Sequence, residues 1–180
     1  MKHIYVAFFS LLIMGVTNAQ DKYLTKEGYV SFFSHSIVED IKADNNQVLS
    51  VVDSKTGKIA IQLLMRSFMF EKALMREHFN DNYVESDIYP KAKFSGSIEN
   101  FDTLANLSSD IRIVGTLSLH GKENNIATDA TITVEANKLI LTGEFDVKVA
   151  DYDIKIPALV KNNISKTIKV SFELHHTPYK

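Results

Sequence analysis

Chemistry in this chain would have to come from histidines, acids or hydroxyls, because it contains no cysteine and so no thiolate nucleophile. His175-His176 is an adjacent pair. Neighbours on a strand point to opposite faces, so the pair chelates one ion poorly. Asp151 and Asp153 share a face of an extended segment. They have the charge to meet a cation, but a solvated acidic edge looks the same. His78 follows Arg76 and Glu77 near a helix end. It either offers a hydrogen bond to a ligand head group or complements the C-terminal dipole, and the second is the simpler reading. His120 precedes Gly121 at a strand end, where fixing a turn is the simpler role. Gly-x-Ser-x-Gly, His-Glu-x-x-His and phosphate-loop patterns are absent. The residues therefore give no reason to expect an enzyme, a metal or a cofactor.

The elements that hold these side chains begin after an unusual start. Lys2 and His3 precede an apolar run over 4–16, and Thr17-Asn18-Ala19 supplies small residues at the −3 and −1 positions of a cleavage site. This pattern predicts a secretory signal peptide over 1–19, cut after Ala19, and a single domain over 20–180 that is periplasmic or secreted. Removal of Lys2 takes the formal charge from −2 to −3. A mildly acidic chain with no basic block is a poor match for nucleic acid or an anionic membrane surface. With no second long apolar run, no integral membrane segment is expected after cleavage. With no disulfides, about 160 residues must rely on their core, burying about 70% of the unfolded surface. Nothing in the sequence sets the oligomeric state, and a homodimer stays open.

Period two dominates the domain. Val30 and Phe32 alternate with Ser31, and 47–52 reads as a short strand after a turn at Asp44-Asn45-Asn46. Ile59, Ile61, Leu63 and Met65 form one face; Ile111, Ile113, Gly115, Leu117 and Leu119 form another. Ala130, Ile132 and Val134, then Leu139 through Val149, then Ile168 through Leu174 repeat the alternation. Helix formers concentrate in 67–79, with Ser67 as a candidate cap and Phe70, Leu74, Met75, His78 and Phe79 at three- and four-residue spacings. A further helical turn is expected at 36–41.

Seven or eight one-sided strands with short connections, and one substantial helix, must stack two sheets or close one. An all-β, antiparallel up-and-down barrel is the expectation, with a β-sandwich as runner-up. The segment 88–101 shows the logic. Pro90 lacks a ladder donor and pushes Tyr89 into an extended conformation, so a strand begins behind it. Gly96, Gly115 and Gly143 then fall on the inward face, where glycine marks a bend or a close approach to the backbone.

Taken in order, Arg76-x-His78-Phe79, then Tyr89-Pro90-Lys91-Ala92-x-Phe94-x-Gly96, then Val114-Gly115-Thr116-Leu117-Ser118-Leu119-His120-Gly121, resemble the YceI-like domain family. The resemblance covers nearly all of 20–180. It implies a lipocalin-like eight-stranded barrel, export, a long apolar cavity holding a polyisoprenoid or similar lipid, and no enzymatic activity. Asn82-Tyr83-Val84-Glu85-Ser86, Val48-Leu49-Ser50-Val51-Val52 and Asp151-Tyr152-Asp153-Ile154-Lys155-Ile156-Pro157 depart from the family pattern.

From residues alone a filled barrel and a hollow one are alike, since small barrels can be filled by side chains. The inward glycines and the absence of tryptophan lean toward hollow. A ligand tail would then lie along Phe32, Ile59, Ile61, Leu63, Phe94, Ile113, Leu117, Phe145 and Phe172. Phe68, Leu74 and Phe79 would flank it from the helix, and Arg76, His78 and Tyr89 would meet its head group. The alternatives are a filled barrel that acts through its surface, and an enzyme with a base paired to a second polar group deep in the pocket.

Overall fold

The computed structural model describes residues 22–35, 39–101, 108–157 and 164–179. The expected signal peptide and parts of the predicted helical turn at 36–41 lie outside them. Nine strands follow in order: β1 (Lys22–Ser34), β2 (Ile41–Asp53), β3 (Lys58–Leu64), β4 (Met69–Phe70), β5 (Lys91–Ile98), β6 (Ser108–Leu119), β7 (Lys122–Glu135), β8 (Lys138–Lys148) and β9 (Thr167–Tyr179). Every ladder is antiparallel, and the order β1-β9-β8-β7-β6-β5-β3-β2 closes through a β1–β2 pairing. This is an eight-stranded up-and-down barrel, and the sandwich is excluded. The two-residue β4 is an outlying addition to β2, pairing Phe70 with Ala43.

Local chemistry explains the turns. His120 and Gly121 both have positive φ, as do Ala136 and Asn137, the signature of two-residue type I′ hairpins. Between β2 and β3, Asp53 accepts hydrogen bonds from the Lys55 and Thr56 N–H groups, both at 3.0 Å. Those two bonds hold its carboxyl below the usual carboxylate range.

Two predicted features are corrected. The turn expected at Asp44-Asn45-Asn46 lies inside β2, which is 13 residues long. The β1–β2 register shifts between Gly28 opposite Val48 and Val30 opposite Asn45. Asn45 turns inward there, donating to Leu64 O at 3.1 Å and accepting from Gln47 N–H at 2.9 Å. Asparagine's ability to bond its own neighbourhood serves a bulge as well as a turn. The helix over 67–79 is also shorter and later. Met65–Ser67 is a 3₁₀ turn, Met69–Phe70 pairs with β2, and the α-helix α1 spans Ala73–His78. Ser67 bonds Gln47 instead of capping a helix. A π turn, Phe79–Tyr83, continues α1. Asn80 Nδ2 donates to Arg76 O at 2.8 Å, occupying the carbonyl an α-helix would offer to the Asn80 backbone, and the turn widens.

The barrel has two unlike halves. Around the Lys22, Asp53 and Tyr179 end, Val48, Ser50, Val52, Ile59, Leu139, Leu141, Leu174 and His176 are buried in a packed core. The other end, bounded by Ser34, Leu64, Leu119 and Lys148, surrounds a cavity.

Candidate functional site: an apolar cavity

Strands send alternate side chains inward, so most of them contribute two or three lining residues. β1 gives Val30 and Phe32, β3 gives Ile61 and Leu63, and β5 gives Ala92 and Phe94. β6 gives Ile113, Leu117 and Leu119; β8 gives Phe145 and Val147; β9 gives Ile168, Val170 and Phe172. The enclosed space is about 300 Å³, at the small end of ligand cavities. Four phenylalanines stand over the mouth. The Phe32 ring lies 5.2 Å edge-on from Phe68, 5.8 Å from Phe70 and 5.3 Å, stacked, from Phe79. Phe70 and Phe79 are 5.1 Å apart. Met75, His78 and Tyr83 extend this cover along α1 and the π turn.

The inward glycines have a definite purpose. Gly96 and Gly115 pair across β5–β6. A Cβ on Gly96 would first meet the paired strand's backbone at Val114 O, and one on Gly115 would meet it at Ser95 O, 2.5 Å away; each would then meet the tip of the Phe94 ring, at 2.7 Å or 2.6 Å. A Cβ on Gly143 would meet the Phe172 tip at 2.6 Å. Gly96 and Gly115 therefore let the paired backbones approach closely, and the Phe94 and Phe172 ring tips occupy the room that the three glycines leave. The close approach expected from the sequence is real, but its partner is the protein itself.

Few polar groups reach the cavity. Ser34 is buried and accepts the Ser165 N–H at 3.0 Å. Thr128 Oγ1 donates to Glu144 O at 2.8 Å. His78 Nδ1 accepts from Asn82 Nδ2 at 3.0 Å, which places the neutral ring's proton on Nε2. Burial raises the Tyr83 phenol above its usual range.

Eleven of the predicted site residues line this space: Phe32, Ile61, Leu63, Phe68, His78, Phe79, Phe94, Ile113, Leu117, Phe145 and Phe172. Ile59 lies below it in the packed half. Leu74 projects to solvent, 60% exposed, because α1 begins later than expected and turns that side outward. Arg76 is exposed on the same helix. Tyr89 packs edge-on against His120 at 4.6 Å, over Gly121. Ile126, Val149, Ile154, Ile156, Ile164 and Ile168 line the cavity without having been predicted. The alternation Ile154-Lys155-Ile156 carried that signal.

The histidines outside the cavity are structural. His176 is fully buried: its Nδ1–H donates to Leu139 O at 3.0 Å and Ser50 Oγ–H donates to Nε2 at 2.8 Å. Desolvation pushes its pKa down to about 4, against the pull of backbone hydrogen bonds. His175, on the opposite face, bonds Glu173. His120 bridges Glu85 and Tyr152 O, each at 2.9 Å. Among the described residues, no three His, Asp or Glu side chains gather as metal ligands, and no helix is long and apolar enough to cross a membrane.

A closed antiparallel barrel with an apolar interior and an aromatic cover defines a lipocalin-like binding barrel as the class. The chain belongs to a specific group within it: residues 23–176 match the model of the YceI-like domain. Among solved structures, it is similar to a polyisoprenoid binding domain from Saccharophagus degradans implicated in plant cell wall breakdown. That match has a TM-score of 0.77 at 18% identity and covers 89% of this chain and 100% of the other. Burkholderia cenocepacia BcnA gives 0.71 at 13% identity, covering 82% of this chain and 95% of the other. A YceI protein from Campylobacter jejuni gives 0.59 at 15%, covering 100% and 91%. At these identities the likenesses speak for the fold. No curated protein matches the chain.

Proposed function

We propose that this protein is a non-catalytic carrier that holds one long apolar chain, a polyisoprenoid or similar lipid, in the barrel. The observation that carries the reading is the cavity itself, walled by aliphatic and aromatic side chains and closed below by a packed core. Family membership and the polyisoprenoid-binding neighbour support it. A filled barrel would need side chains where this space lies. The enzyme alternative needs a paired base in the pocket, whereas His78 there is partnered by an amide. The ligand's apolar tail lies beneath Phe68 and Phe79 and along Ile61, Phe94, Leu117 and Phe145. Burying on the order of 400 Å² of ligand gives about 10 kcal/mol of gross stabilisation at ~25 cal/mol per Å². Association and ordering offset much of it, leaving micromolar binding within reach. The export pattern of residues 1–19 supports a carrier that works in the periplasm or outside the cell.

Native mass spectrometry of residues 20–180, purified without detergent and followed by organic extraction, tests this. The expected result is a bound species of a few hundred daltons or more, released as a long-chain lipid. A clean apo mass, with no uptake of added isoprenoid quinones or fatty acids, would overturn it.

A further inference from the structure

The barrel wall has a window. The β7–β8 ladder runs from Glu135–Lys138 to Ala130–Gly143 and stops, although β7 continues back to Lys122 along β6 and β8 continues to Lys148 along β9. A solvent-facing polar cleft lies between the unladdered stretches. Two side chains bridge it: Thr128 Oγ1 to Glu144 O, and Asn124 Nδ2 to Asp151 O, both at 2.8 Å. Ile126, Thr128, Phe145 and Val147 line both this cleft and the apolar cavity, so the two spaces share one thin wall.

Tyr152 stands at that wall. It ends the 3₁₀ turn Val149–Tyr152, packs against Leu117 and Val147, and is only 2% exposed. Its backbone is fixed by the bond from His120 to Tyr152 O. Its side chain lines the cleft, yet its hydroxyl is buried without a hydrogen-bond partner. Burial raises the Tyr152 phenol above its usual pKa, and neighbouring Asn124, one of whose amide hydrogens goes to Asp151 O, draws it part of the way back. A buried, unanswered hydroxyl is a standing cost that a ligand group could remove.

The cleft also has a sign. Asp129, Glu144, Asp146 and Asp151 face one cation, Lys148. Arg112 and Lys169 pair Asp129 and Glu144, at 3.1 and 3.4 Å. A head group carrying negative charge meets repulsion here; one that donates hydrogen bonds meets acceptors.

We propose that the β7–β8 window is the head-group subsite, and that it selects apolar chains ending in a hydrogen-bond donor, a hydroxyl or ammonium group, with the Tyr152 hydroxyl as their anchor. This rests on the carrier reading. The test uses the protein purified without detergent and three probes of equal length: dodecan-1-ol, dodecylammonium and dodecanoate, titrated calorimetrically. The alcohol and ammonium are expected to bind at least about tenfold tighter than the carboxylate, which corresponds to ~1.4 kcal/mol. Tyr152→Phe should weaken the alcohol several-fold, leave dodecanoate unchanged and keep or raise Tm. Asp146→Lys, at an exposed position, should invert the order of ammonium and carboxylate. Tight binding of all three with no preference, or a uniform loss in Tyr152→Phe, overturns this inference alone. Failure of every probe to bind overturns the carrier reading with it.

Discussion

The packed and hollow halves of the barrel are built from the same strands, and the difference between them is instructive. In the packed half, aliphatic side chains from β2, β8 and β9 interlock with Ser50 and His176. In the hollow half seven phenylalanines join the aliphatic lining, yet the centre is open. Big residues do not by themselves fill a barrel. The Phe94 and Phe172 rings lean over glycines at the junction of the halves, and Phe32, Phe68, Phe70 and Phe79 pack on one another at the mouth. Hollowness here comes from where the rings rest.

The largest break in that contrast should come from truncation. Leu141→Ala, at a fully buried site in the packed half, is expected to cost about 3–4 kcal/mol in urea denaturation. Ile61→Ala, whose side chain already borders empty space, should cost about 1 kcal/mol, because fewer contacts are lost. Equal losses would mean the cavity is occupied by the protein.

Acid should act on the packed half next. His176 has its pKa lowered from 6.5 to about 4, so the folded state binds the proton more weakly than the unfolded one. Its contribution is fully present above pH 6.5 and is lost as pH falls from 6.5 to about 4. The shift corresponds to about 3 kcal/mol at 1.36 kcal/mol per unit. Stability measured at pH 7 and pH 4 should show this difference, and His176→Leu, though less stable at pH 7, should flatten it. An unchanged pH profile in that variant would assign acid sensitivity elsewhere.

The smallest effect on stability should carry a large effect on binding. Ala92→Leu adds volume within the cavity and is expected to change stability by no more than about 1 kcal/mol. Uptake of an apolar probe should fall at least tenfold. Retained uptake would place the bound chain away from β5.

Much of this was legible in residue order. The two-residue alternation marked the inward faces of β3, β5, β6, β8 and β9, and through them most of the cavity wall. Helical spacing misled at 67–79, because Met69 and Phe70 gain more from pairing with β2 and covering the mouth than from a helix. Asn45 misled because its side chain satisfies a bulge as readily as a turn. The window could not be read at all. Alternation says which way a side chain faces, but it does not say where two strands part, and Tyr152 gains its role only from that separation.

The closure of the barrel sets an order of events. Lys22 lies opposite Tyr179, and Phe33 opposite Lys169, so the seam joins the two most distant parts of the described chain. Such contacts form last and slowly, since a long loop must close before they reward the chain. Until β9 docks, β1 and β8 are bare edges able to pair with another molecule. Because the seam brings these distant segments side by side, a circular permutant that joins them and opens the His120-Gly121 hairpin should keep the barrel while turning its slowest closure into a local one.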